Sequence, residues 1–148
     1  MPRFSTGLFL TAKALASPTV FGVSGAILDG DGRVLLVRQT YMKGWRLPGG
    51  GLDHGEPPET ALRRELREEV GLTGGSVRFF GLYSRKVWWL THVIALYVIE
   101  GGGIDFHPNW EVREVCWASP SAPPPDTAAP AARRLGELAG SAAQDPQW

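Results

Sequence analysis

Residues 49–72 read GGGLDHGEPPETALRRELREEVGL, and this stretch gathers the side chains whose types and spacing suit chemistry. At about 100° per residue, Glu65, Glu68 and Glu69 fall on one narrow stripe of a helix. Leu62, Leu66 and Val70 fall on the neighbouring stripe and can face a core. Three adjacent carboxylates repel one another, and like charges one turn apart weaken a helix. Arginines at 63, 64 and 67 offset part of that repulsion. A divalent cation offsets more: Mg²⁺ takes oxygen ligands, keeps several waters and also binds substrate phosphates. Gly49, Gly50 and Gly51 let the backbone approach an ion or ligand, so a carbonyl there is a further candidate ligand. From charge spacing alone, a solvated acidic helix behind an ordinary loop fits the same residues.

The full pattern separates the two readings. Gly50 is followed by five residues, Glu56, seven residues, and then Arg64, Glu65, Leu66, Arg67, Glu68, Glu69, Val70, Gly71 and Leu72. This resembles, at every defined position, the signature box of the Nudix hydrolases, and the preceding GWRLPGG is similar to that family's lead-in. Nine specified positions at fixed spacing are far more specific than a lone glycine motif. Outside the box the resemblance rests on the pattern of strands around it.

The resemblance implies an α/β fold, an α/β/α sandwich with a mixed β-sheet between helices. It implies Glu65, Glu68 and Glu69 as ligands of Mg²⁺ or Mn²⁺, with the carbonyl of Gly49 as an additional one. Glu56 and Arg64 would pair to hold the loop against the helix, with Gly50 in the same supporting role. The expected activity is hydrolysis of a phosphoanhydride in a nucleoside diphosphate linked to another group X, a small-molecule substrate. Glu68 or Glu69 is one candidate proton acceptor. Glu111, ahead of Glu114, is the candidate outside the box. The alternative is a catalytically silent module that senses a nucleotide, against which the intact carboxylate set argues.

Recognition of base, sugar or X needs other groups. Aromatic faces suit bases, so Trp45, Trp88 and Trp89 are substrate-binding candidates; an extended 85–90 would put one of the last two inward and the other outward. Arg46, beside the glycines, is a candidate phosphate contact. His54, His92 and His107 are too scattered for a zinc-type cluster; of the three, His107 lies nearest Glu111 in sequence. Cys116 reads as a small buried hydrophobe in a strand. Family sub-types distinguished by a proline or tyrosine past the box find Lys86, Val87, Trp88 and Trp89 there, so no substrate is selected.

These groups must be carried by a fold. At 148 residues and 43% hydrophobic, the chain suits one domain with a real core. Fifteen basic and fifteen acidic side chains cancel, which gives no strong nucleic-acid signal. A lone cysteine fits a reducing, cytoplasmic setting, and no apolar run reaches the roughly 20 residues that span a bilayer. Strands are expected at 19–29, 33–40, 76–89, 91–100 and 111–119, and a helix over 58–70 between Pro57/Pro58 and Gly71. A capped final helix over 126–140 would dock through Leu135 and Leu138. The expected domain covers 18–140, followed by a flexible tail at 141–148. Residues 1–17 imitate a secretory signal, but Lys13 interrupts the apolar stretch. Phe4, Leu8 and Leu15 suit a helical arm packed on the domain instead. The sequence is compatible with a homodimer.

Overall fold

The computed structural model describes the backbone of residues 2–148 and the side chains of residues 6–148. Its elements are α1 (Pro2–Ala16), β1 (Thr19–Leu28), β2 (Val34–Gln39), β3 (Trp45–Arg46), β4 (Gly49–Gly51), α2 (Pro58–Val70), β5 (Leu72–Val87), β6 (Leu90–Ile104), β7 (Val112–Ala118) and α3 (Ala129–Leu138). The sheet is mixed. β1 runs parallel to β6 from Thr19↔Thr91 to Leu28↔Glu100, and among the described residues the other pairings between named strands are antiparallel. The strand order is β3-β2-β1-β6-β5, with β4 added to β1 and β7 to β2.

Strand alternation divides the apolar side chains between the two faces. Val23, Ile27, Leu35, Val37, Ala95 and Ile99 pack with Leu62, Leu66 and Val70 of α2 on one face. Ala26, Val34, Leu36, Leu96 and Val98 pack with Leu135 of α3 on the other. A helix on each side of a mixed sheet is the expected sandwich.

Helix α2 keeps the expected limits. Pro57 is the extended residue before it, and Gly71 closes it in the left-handed conformation, with its N–H donating to the carbonyl of Arg67. A Cβ at position 71 would strike the backbone of Asp105, so glycine serves here both for its positive φ and for the close approach.

Four expectations are corrected. The helical arm exists, but the described side chains of 6–17 all stand exposed, Leu8 and Leu15 among them. α2 and α3 already cover the two apolar faces of the sheet, which leaves the arm no core to join. Phe4, the third residue of that expected face, has its side chain outside the described residues.

The tail is docked rather than loose. Arg134 is fully buried, ion-pairs with Glu137 at 2.9 Å, stacks over the Tyr83 ring and donates to the carbonyl of Gln147 at 2.8 Å. Trp148 packs edge-on against Tyr83, and Ser84 exchanges backbone hydrogen bonds with Pro146 and Trp148.

The α3 N-terminus has no side-chain cap: Asp126 pairs with Arg38 at 2.6 Å, and the Thr127 hydroxyl turns back to the Pro124 carbonyl. Trp88 and Trp89 do not alternate across an extended strand. They are the two residues between the paired Val87 and Leu90, so both project from the turn, 81% and 72% exposed. Among the described residues, no helix is long and apolar enough to cross a membrane.

Candidate active site

The carboxylates of Glu65, Glu69 and Glu111 offer oxygen atoms within 4.8 Å of one another. Two come from α2. The third arrives with the loop before β7, which Asn109 fastens: its amide donates to the Glu69 carbonyl at 3.1 Å, and its side-chain oxygen accepts from the N–H groups of Glu111 and Val112. Glu114, the second candidate in that segment, is exposed and paired with Arg38 at 3.1 Å.

Glu69 is 2% exposed and accepts the Gly49 N–H at 2.8 Å. Burial pushes its carboxyl up to about 8, against the Gly49 bond, and the charges of Glu111 and Glu65 push the same way. Glu65 is raised too, first by burial, with Arg64 opposing. Buried carboxylates crowding together without a cation between them are costly. The donor set is all oxygen and suits a hard divalent ion, so the residues fit a metal site. Glu68 lies outside the trio, 55% exposed, with an oxygen 3.7 Å from Arg64.

Arg64 ties the assembly together. It donates to Glu56 at 2.8 and 3.0 Å, to Glu65 at 2.8 Å and to the Gly51 carbonyl at 3.0 Å. A Cβ on Gly50 would collide with the Glu65 carboxylate, so this glycine is what lets β4 lie against α2. Gly49 takes part through its N–H; its carbonyl remains a candidate ligand.

Beside the carboxylates opens a cleft of about 330 Å³, lined by Gln39, Tyr41, Arg46, Arg85, His92 and Trp148 among others. Arg46 lines this cleft. Trp45 does not: it is 8% exposed, belongs to the α3-side core and carries Arg38 over its ring at 4.4 Å. Neighbouring residues of a strand face opposite ways, so Arg46 at the cleft sends Trp45 inward. Trp88 and Trp89 are absent from the lining. His92 is the histidine at the cleft, while His54 and His107 are exposed. Cys116 is half-buried against the α3-side core, where burial pushes its thiol up.

Gln39, Tyr41, Arg85, Asn109 and Trp148 were not legible in the sequence as site residues. Only strand alternation bears on Gln39 and Arg85, and it does not say which face holds the cleft.

Comparison with known proteins agrees with the geometry. Residues 18–138 match the NUDIX domain. A protein of Photobacterium profundum named RNA pyrophosphohydrolase is 45% identical over 90 residues, 61% of this chain and 45% of that one. Its namesake in Aliivibrio fischeri is 44% identical over 61% of this chain and 46% of its own. The chain thus spans less than half the length of these curated relatives. Among solved structures, a MutT NUDIX hydrolase from Burkholderia pseudomallei superposes with a TM-score of 0.72 at 22% identity, covering 82% of this chain and 98% of that one. The ORF135 protein of E. coli gives 0.66 at 23% identity, with 88% and 97% covered. The structural likenesses show the fold; the domain match, which runs through the whole box from Gly50 to Leu72, makes the chain a member of the NUDIX family.

Proposed function

We propose that this chain is a divalent-metal-dependent hydrolase that cleaves a phosphoanhydride bond in a nucleoside diphosphate linked to another group. The observation that carries the reading is the trio Glu65, Glu69 and Glu111 at the edge of a cleft. These three carboxylates, with the Gly49 carbonyl and Glu68 at the rim, would hold Mg²⁺ or Mn²⁺. When bound, such an ion neutralises phosphate oxygens and makes water a better nucleophile. Arg64 and Glu56 act one step removed, since they fix Glu65 and the glycine loop. Glu68, exposed outside the trio, would accept the proton released by the attacking water when it does not ligate the ion. Arg46 faces the same cleft and offers a guanidinium to substrate phosphate.

A second substrate reading is the 5′-polyphosphate end of RNA, favoured by the name that the relatives carry. Nothing favours a silent module, because the carboxylate set is complete. The test is a product assay with Mg²⁺ and with Mn²⁺ over nucleoside triphosphates, nucleotide sugars and a short 5′-triphosphorylated RNA. Turnover that vanishes with chelator supports the reading, and no product from any substrate with either ion overturns it.

A further inference from the structure

Tyr41 lines the cleft within electrostatic reach of both kinds of charge: its hydroxyl is pushed up first by burial and then by Glu69, Glu111 and Glu65, while Arg46 pulls it down. Arg46 of β3 and Arg85 of β5 also line the cleft, and Arg85 faces His92 across the β5–β6 pairing.

What sets these two arginines apart is the lack of a carboxylate partner. Six arginines among the described residues are buried or half-buried: Arg38, Arg46, Arg63, Arg64, Arg85 and Arg134. Arg38, Arg63, Arg64 and Arg134 each pair with a carboxylate. Arg46 and Arg85 do not, and both open on the same cleft. The Arg46 Nε is buried with no hydrogen-bond partner. Arg85 donates through Nε to His92 Nδ1 at 3.4 Å, a long contact to an acceptor without negative charge. Burial and the charge of Arg85 both make the Arg46 cation less favourable, which places the two guanidiniums within electrostatic reach of each other. His92 is held towards its neutral form by burial and by Arg85. Two partly desolvated, mutually repelling guanidiniums are costly unless an anion joins them, and their planar donor forks match phosphate oxygens.

We propose that Arg46 and Arg85 form an anion subsite that holds a substrate phosphate lying beyond the anhydride cleaved at the carboxylates. The preferred substrates therefore carry an extra phosphate there, as nucleoside triphosphates or 5′-triphosphate ends do, rather than an uncharged X such as a sugar. This rests on the hydrolase reading above, but part of its test does not.

The test titrates inorganic tripolyphosphate into metal-free protein by calorimetry. Arg46→Gln and Arg85→Gln should each weaken binding by about tenfold or more, the scale of a lost charged hydrogen bond. Lys86→Gln should bind like the parent, because Lys86 is exposed on the opposite strand face. Glu69→Gln should keep binding, so loss of hydrolysis is told apart from loss of the subsite. With Mg²⁺ present, the parent's preference for a nucleoside triphosphate over a nucleotide sugar should shrink in both arginine variants, mainly through KM. If Arg46→Gln does not fold, Arg46→Lys, which keeps the charge but loses the fork, should still bind measurably less tightly. Unchanged binding in the arginine variants overturns the proposal, as does an equal loss in Lys86→Gln.

Discussion

Arg64 Nη2 lies 2.8 Å from Glu56 Oε2, and the same guanidinium reaches Glu65 at 2.8 Å, so one arginine joins the glycine loop to the metal-site helix. Its neighbour Arg63 makes only longer contacts, to Glu59 at 3.4 Å and to the carbonyls of Gly74 and Gly75. Arg64→Ala should therefore cost about 1–3 kcal/mol and lower activity, because Glu56 and Glu65 lose a charged donor at partly buried positions. Arg63→Ala should cost under about 1 kcal/mol, as exposed pairs do. Urea denaturation and initial rates of both variants check this, and equal losses would count against it.

The same pair sets a pH dependence. The Arg64 hydrogen bond, followed by the Asp53 N–H, holds the Glu56 carboxyl at about 2, below its ordinary 4.5. A folded value below the unfolded one means stabilisation that is full above about pH 4.5 and is lost as pH falls towards about 2. Between those limits the parent should lose more stability than Glu56→Gln. Parallel melting curves across that range would exclude the linkage.

Glu69→Gln separates function from folding. It should lower turnover by at least about a hundredfold, given what metal ions contribute to anhydride cleavage. Metal-free stability should hold or rise, since an amide avoids the cost of protonating or burying a carboxylate whose charge burial and two neighbouring carboxylates oppose. Near-parental kcat at saturating Mg²⁺ would remove Glu69 from the metal site. Glu111→Gln should impair turnover with less effect on stability, because Glu111 is only half-buried.

Trp45 and the turn tryptophans should behave oppositely. Trp45→Ala opens a core cavity and should cost about 3–5 kcal/mol, leaving KM unchanged in the protein that folds. Trp88 has a φ of +52°, unusual for a bulky side chain. Trp88→Gly should therefore leave the melting temperature unchanged or raised, with KM for a mononucleotide unaltered. A raised KM in Trp88→Gly would restore it as a base contact.

The docked tail depends on a buried charge. Arg134→Leu strands Glu137, which is left with the Tyr83 hydroxyl at 2.7 Å and the Asp145 N–H. A loss of about 3–5 kcal/mol is expected, as for other broken buried pairs. Faster amide exchange at Ser84 and Trp148 should accompany it, because the Ser84 N–H donates to the Pro146 carbonyl and the Trp148 N–H to the Ser84 carbonyl, and these two bonds hold the tail. Unchanged exchange there would show that the tail docks independently of the pair.

Several of these outcomes turn on what is local and what is not. By itself the sequence determined α2, its limits at Pro58 and Gly71, its apolar stripe of Leu62, Leu66 and Val70, and the acidic stripe beside it. It determined β1, β2, β5, β6 and β7 in outline as well, because strand alternation acts over a few residues, but not the short β3 and β4; the Arg64–Glu56 pair was implied only by the resemblance to the Nudix box. Which distant groups meet was decided only by the tertiary structure. Glu111 joins Glu65 and Glu69 through the Asn109 staple, across more than forty intervening residues. Arg46 and Arg85 converge because β3 and β5 flank one cleft. Alternation says that Trp45 and Arg46 point apart, but only packing against α3 decides which is core. The tail is expected to be loose as terminal residues commonly are, and it docks because Arg134, of a residue type mostly found at the surface, is buried against Tyr83 and Gln147. Periodicity assigns a side chain to a face; the partners on that face are set by strand order and register, which no short stretch of sequence contains.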